Sequence, residues 1–380
     1  MTELMIIADD FTGALDAGVH FAERGIGTRV IVSLDHDRSW EEGIRSGETT
    51  VLVIDAETRH VSPDQAYRKV FAVAKDAREA GIPYIYKKTD SALRGNIGSE
   101  LEAAYRAAGE PFLSFVPALP QMNRITRGGR QYIDGVPVSK SVFGRDPFEP
   151  VTKDSVKDII RLQSEIPVIE THGEARPGPG QAGIVVYDAT TEADIRRIGA
   201  DLTVTGQNRL MAGCAGFAAI LPDLLGLKRQ EPETAALERR LFVICGSVNP
   251  ITRRQLDWGE RVGYPRIYMA AEEKLNPEFW RSEQGAGLTR RMTQESSEND
   301  CVILDTNDRE SERNTLEYAR ELGMDTGQVR SRIPETLGII LKNMLDCGLH
   351  AVILVTGGDT LLGFMKEIRQ WELQPIRQGR

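Results

Sequence analysis

The sequence predicts an α/β protein of two domains, each a mostly parallel sheet with helices on both faces. Three observations carry this. Short β-branched runs alternate with amphipathic helical stretches through the first two-thirds of the chain, the pattern of strands joined by crossover helices. At 380 residues the chain is too long for one ordinary core, so two domains, or three, are expected. A polar run without apolar period, Leu227 to Ala236, then interrupts the alternation before it resumes. We take residues 1–228 as a first domain, 229–236 as a linker and 237–380 as a second domain.

The elements follow in order. Met5 to Ala8 is a buried strand that stops on two adjacent carboxylates, Asp9 and Asp10. Thr12, Gly13 and Ala14 then open a helix with Asp16 on its first turn. Such a strand end places charge where open α/β proteins bind ligands. Neighbouring like charges raise each other's pKa, so stability gives no reason for the pair. It points to a polyhydroxylated or cationic ligand, or to a metal. The other reading makes Asp10 and Thr12 helix caps, with Asp16 on a solvated face.

Thr28 to Ser33 and Thr50 to Ile54 are further strands, and Pro63 to Ala80 is a helix stopped by Gly81. Pro83 to Lys87 and Phe112 to Val116 are strands separated by a polar loop and a helix. From Pro117 to Val151, prolines and glycines break the periodicity, which predicts a long ordered loop or hairpin region of the kind that serves function. Gly173 to Gly183 reads as an exposed connection, Ile184 to Tyr187 as a strand and Asp194 to Ala200 as a helix. In the second domain Arg240 to Cys245, Cys301 to Leu304 and Ala351 to Val355 are strands.

Composition narrows the function classes. The chain is 41% hydrophobic and 27% charged, with a net charge of −9, which repels nucleic acid and anionic membranes. No stretch approaches the roughly 18 apolar residues of a membrane span. The first strand follows the start directly, so no signal peptide is expected. Four scattered cysteines without CxxC spacing, three in apolar or small-residue surroundings, predict free thiols in a reducing cytoplasm. Five dispersed histidines without HxxxH or HExxH spacing make a structural zinc site unexpected.

Three more strand-to-helix junctions carry chemistry. Val352 to Thr360 (VILVTGGDT) ends a strand on paired glycines, which let backbone N–H groups approach a phosphate at a helix N-terminus. Asp359 could hold Mg2+ or accept a hydroxyl proton, and Thr360 could donate to a phosphate; an ordinary Asp/Thr cap is the competing reading. Cys245 to Pro250 has the same form, with Ser247 presenting a hydroxyl. Two such loops favour a nucleotide pocket, although neither GxxxxGK[ST] nor a strand-borne GxGxxG occurs. In an acidic chain, Lys87 to Asn96 is a basic, hydroxyl-rich cluster suited to an anionic substrate, unless Asp90 or Ser91 merely caps a solvated loop. Arg59 is placed at the same edge, whereas His60 reads as an ordinary surface histidine. Arg124, Thr126, Arg130, Arg145 and Asp146 read equally well as solvated loop residues and are left unassigned.

Together these motifs resemble the four-carbon acid sugar kinase family. The resemblance rests on IADDFTGALDAG at 7–18, KKTDSALRGNIG at 87–98, VPALPQMNR at 116–124, residues 134–151, GSVNPITRRQ at 246–255 and TGGDT at 356–360. It implies an ATP-dependent kinase that phosphorylates a terminal hydroxyl of threonate, erythronate or 3-oxo-tetronate in carbohydrate catabolism. A sugar-acid domain would precede a nucleotide domain, with the active site in the cleft between them. Asp10, Arg59, Lys88, Thr89, Asp90, Ser91 and Arg94 would contact substrate, with Lys88 and Arg94 anchoring its carboxylate. Ser247, Gly357, Gly358, Asp359 and Thr360 would hold ATP, and Asp359 would serve as base or Mg2+ ligand. The family pattern runs on past residue 380 with a further strand and a second glycine-rich loop, so the nucleotide domain is expected to lack that segment. Asn123 stands where many members have Gly. Sugar acid and ATP are the expected partners, without nucleic acid or membrane, and a homodimer is compatible with the sequence. A catalytically inactive sugar-acid-binding protein is the alternative, and a nicotinamide-dependent dehydrogenase a weaker one.

Overall fold

The computed structural model describes residues 1–32, 39–146, 149–171, 180–227, 229, 238–309 and 313–377. Most of the 229–236 segment and much of the 173–183 connection lie outside the described residues. The chain divides into two compact units, Met1–Thr234 with Glu372–Arg380, and Ala235–Trp371.

In the first unit the described strands form a nine-stranded sheet. Its order is Glu372–Leu373, Thr28–Val32, Val51–Asp55, Leu4–Ala8, Tyr84–Lys88, Leu210–Gly213, Phe112–Val116, Gly183–Tyr187 and Val168–Thr171. All pairings are parallel except that of Glu372–Leu373 with Thr28–Val32. The central runs LMIIA and VLVID are buried throughout, as strands covered on both faces must be. Winding reverses between Leu4–Ala8 and Tyr84–Lys88, so the switch point of the sheet lies at their carboxyl ends. The Pro63–Glu79 helix shows how sequence sets an element here. Ser62 and Gln65 form a capping box, Pro63 occupies the first turn, and Ala66, Val70, Val73 and Ala77 bury one stripe.

Two strands of this sheet, Val168–Thr171 and Leu210–Gly213, have no clear sequence signal. Each is four residues long, and LMAG carries little β propensity, so pairing to both neighbours decides its state. The Pro- and Gly-rich region folds as a small antiparallel sheet of Arg124–Arg127, Arg130–Ile133 and Val136–Pro137. The chain end returns to the first unit, where the Arg29 guanidinium pairs with the Glu372 carboxylate.

The second unit has a four-stranded parallel sheet in the order Arg266–Tyr268, Cys301–Asp305, Leu241–Cys245 and Val352–Thr356. Its core gathers Phe242, Ile244, Val302 and Leu304 from the strands with Leu337, Ile340, Leu341 and Met344 from the Thr326–Asp346 helix. Here too the winding reverses, between Leu241–Cys245 and Val352–Thr356, which puts both glycine loops at a switch point. Among the described residues no helix is long and apolar enough to cross a membrane.

Candidate functional site

In the first unit, Ala8 is in register with both Asp55 and Lys88, so three loops begin side by side. Asp9 and Asp10 follow the first strand, Arg59 the second, and Thr89 to Arg94 the third. The adjacent carboxylates share one guanidinium. Arg59 Nε and Nη2 lie 2.8 and 2.7 Å from Asp9 Oδ2, and Nη1 donates to Asp10 Oδ2. Asp10 also accepts from Gly13 N at 2.8 Å, so it is a helix cap and a site carboxylate at once. Asp16 is exposed.

The two carboxyls respond in opposite directions. Burial would raise Asp9, but the charges of Arg59, Lys87 and Lys88 outweigh it and hold Asp9 low. Asp10 is raised, by burial and by the charge on Asp9, against the pull of Arg59 and Lys88. Asp90 is held well below the usual carboxylate range. Burial there is overcome by its hydrogen bonds from Arg94 and by the Arg59 charge. Arg94 Nε and Nη2 each stand 3.0 Å from an Asp90 oxygen, and Nη1 is 3.2 Å from Asp146. Arg94 is thus neutralised by two carboxylates and positions Asp90.

The two lysines differ. Lys87 is fully buried; its ammonium lies 2.8 Å from Glu100 Oε2 and donates to Lys88 O at 2.6 Å. Lys88 is 4% exposed, and its ammonium has one acceptor, Thr89 O at 3.0 Å, with no carboxylate within ion-pair distance among the described residues. A Cβ on Gly13 would stand 2.6 Å from Asp10 Oδ1 and 3.0 Å from Lys88 Nζ, so only glycine leaves room for this approach. The Thr89 hydroxyl is buried and unpartnered among the described residues. Ser91 Oγ accepts from Arg124 Nη1, and Ser91 O accepts from Gln131 Nε2 at 3.0 Å.

Asp55 closes the neighbouring strand. Burial and the Glu57 carboxylate push its carboxyl well up. A carboxyl raised above its unfolded value of about 3.9 costs nothing below that value, progressively more stability as pH rises from it, and its full cost above the folded pKa. Asp55→Asn removes that cost while keeping an acceptor for Glu57 N. The melting temperature of the variant relative to wild type is therefore expected to rise with pH from about pH 4 upward. A difference flat across that range contradicts the assignment.

In the second unit Cys245 is in register with Thr356, which aligns the Gly246-Ser247 and Gly357-Gly358 loops. A Cβ on Gly246 would lie 2.0 Å from Thr360 Oγ1, so the glycine lets the two loops interlock. Gly357, at φ +104°, starts the Gly358–Ile368 helix with no capping side chain, leaving its first N–H groups for an anion. Ser247 is half-buried and Thr360 buried, while Asp359 projects outward with Oδ2 3.1 Å from Arg330 Nε. No cluster of three metal-ligating side chains exists among the described residues.

Glu100, Gln131 and Phe143 are not singled out from the sequence, and Arg124 is left unassigned. Glu100 was signalled by a carboxylate on the apolar stripe of the Ile97–Ala108 helix, beside Leu101 and Ala104. Arg124, Gln131 and Phe143 reach the site only through the antiparallel sheet and the turn that follows it, which no local pattern announces.

Comparison with known proteins agrees with this layout. Residues 4–221 match a family model described as a sugar-binding N-terminal domain, and residues 242–379 one described as a nucleotide-binding C-terminal domain. A D-threonate kinase of Salmonella typhimurium is 30% identical over 370 residues, covering 94% of this chain and 84% of that protein. A D-erythronate kinase of Heliobacterium modesticaldum is 29% identical over 381 residues, again covering 94% and 84%. A 3-oxo-tetronate kinase of Escherichia coli is 28% identical over 281 residues, covering 67% and 69%. In fold alone, the crystal structure of a Haemophilus influenzae protein is similar with a TM-score of 0.72 at 18% identity, over 97% of this chain and 90% of that one. On both domain matches and on its kinship to these kinases, the chain belongs to the four-carbon acid sugar kinase family.

Proposed function

We propose that this protein is a kinase that transfers the terminal phosphate of ATP to the terminal hydroxyl of a four-carbon sugar acid. The observation that carries the reading is Lys88, a buried ammonium with one hydrogen bond and no carboxylate partner among the described residues, set among carboxylates and hydroxyls. A carboxylate supplies its missing partner. Asp10, Thr89, Asp90 and Ser91 offer acceptors and donors for the hydroxyls; Arg94 and Arg59 keep Asp90 ionised, and Arg59 pairs with Asp10. The kinase names of the relatives favour turnover over a binding protein without activity.

Ser247, Gly357, Gly358 and Thr360 are assigned to the nucleotide phosphates, whose charge the uncapped helix N-terminus favours. Asp359 fits Mg2+, which keeps several waters and takes one or two carboxylates beside phosphate oxygens. Its carboxylate is 56% exposed and bonded to Arg330 through one oxygen, so the other is open to such an ion. Mg2+ would neutralise phosphate charge, the main requirement of phosphoryl transfer. Asp359 as the base that takes the hydroxyl proton is the companion assignment. We place the enzyme in the cytoplasm, where its four free cysteines stay reduced.

The experiment is ADP release from ATP–Mg2+ with threonate, erythronate and 3-oxo-tetronate, each in turn. At least one acid is expected to drive turnover; none doing so, with folded protein, sinks the reading. Asp359→Asn is expected to lower kcat by about 100-fold or more, roughly 3 kcal/mol of charge stabilisation, with little change in KM for the sugar acid. Wild-type kcat in that variant contradicts both roles assigned to Asp359.

A further inference from the structure

Four cations belong to the strand-end loops and the antiparallel sheet at this site, and they fall into two kinds. Arg59 is neutralised by Asp9 and Asp10, and Arg94 by Asp90 and Asp146. Lys88 and Arg124 have no carboxylate partner among the described residues. Arg124 is nonetheless held in place. Asn123, at φ +52°, turns the chain, and Leu119 and Arg124 exchange two backbone hydrogen bonds of 2.7 and 3.1 Å. Gln131 fastens the next strand to Ser91 O and accepts from Thr126 Oγ1 at 2.8 Å. Asp188 takes the amides of Gly128 and Gly129 at the far turn. The Arg124 guanidinium lies 5.0 Å from the Phe143 ring centroid and gives one of its five N–H groups to Ser91 Oγ.

Lys88 and Arg124 also act on one buried spot. Burial pushes the Cys214 thiol up, and of the charges that pull it back down, Lys88 contributes most and Arg124 a smaller part. Two cations without a carboxylate at ion-pair distance among the described residues, one a planar fork bonded to Ser91 and the other, Lys88, three residues before Ser91 at the same strand end, suit a carboxylate better than a lone ammonium does.

We infer that Arg124 and Lys88 together form the carboxylate subsite, and that Arg124 sets the preference for a sugar acid over the neutral tetritol. This rests on the sugar-acid kinase reading. Arg94, although nearer in sequence to Lys88, serves by fixing Asp90. The antiparallel sheet thereby becomes the part of the fold that reads charge, while the strand ends of the large sheet read hydroxyls.

Arg124→Gln tests this, because glutamine can still donate to Ser91 Oγ but carries no charge. KM for the acid is expected to rise about 10- to 100-fold, with kcat within a few-fold and KM for ATP unchanged. Calorimetric titration without ATP should show the same loss for threonate or erythronate and none for threitol or erythritol. Arg124→Lys should recover part of the affinity, and Arg124→Met, which also removes the charge, decides the matter if the glutamine variant fails to fold. Unchanged acid affinity and unchanged acid-over-tetritol preference in a folded variant without the charge overturns the inference while the kinase reading stands. Absence of both turnover and acid binding in the wild type overturns the reading itself, and the inference with it.

Discussion

Lys88→Met is expected to cost the enzyme its sugar acid and leave it folded. Truncating one partner of a buried, hydrogen-bonded charge pair costs about 2–5 kcal/mol, a factor of about 30 to several thousand in kcat/KM. The effect should fall on the sugar acid, with KM for ATP unchanged, since Lys88 belongs to the first unit and the glycine loops to the second. The fold survives because Arg59 still bridges Asp9 and Asp10. A pH signature accompanies the loss. Lys88 lowers Asp10, whose carboxyl is already raised by burial and by Asp9. Ionised Asp10 is the form that accepts a substrate hydroxyl, so activity falls as pH drops through that raised pKa. Without Lys88 the acid limb of the profile should move to higher pH. An acid limb that stays put, or a wild-type kcat/KM, removes Lys88 from the site.

Its neighbour should behave in the opposite way. Lys87→Met leaves Glu100, 1% exposed, without its cation. Breaking a buried pair by removing one partner costs about 3–5 kcal/mol. For a unit of this size that is a fall in melting temperature of about 6–20 °C. Lys87 also holds the Lys88 carbonyl at 2.6 Å, so the loop bearing the site loosens with it. Replacing both partners, Lys87→Met with Glu100→Leu, should restore much of the stability because no charge is then stranded. Thermal or urea unfolding of the single and double variants checks this. A single variant as stable as wild type, or a double variant no better than the single, contradicts the pair's role. Two adjacent lysines on one strand end therefore divide the work. One alternates inward to the helix layer, the other to the face that the proposal gives to the ligand.

Much of this was legible in the sequence because the informative residues sit at strand ends. A run such as LMIIA followed by Asp-Asp, or VILVT followed by Gly-Gly-Asp, states both the element and what it presents. Phe112–Val116 coincides with the expected strand, and the Pro63–Glu79 helix stops one residue short of the expected end. What escaped depends on long-range pairing. The strand Leu210–Gly213 exists because two neighbours hydrogen-bond to it, and Glu372–Leu373 because it pairs with residues more than three hundred positions earlier. The sharing of Arg59 by Asp9 and Asp10, and the capture of Arg94 by Asp90 and Asp146, are decided by side-chain geometry that spacing does not encode. Sequence order made Arg94 the natural partner of Lys88, whereas in the fold Arg94 pairs with Asp90 and Asp146.

A substrate carboxylate is expected to complete the buried charge of Lys88. Isothermal titration of wild type and Lys88→Met with threonate and erythronate, in the absence of nucleotide, tests it most directly. Binding of at least one acid to the wild type, weakened at least about 30-fold in the variant at unchanged secondary structure, is the predicted result. Equal affinity of the two proteins for that acid would contradict it.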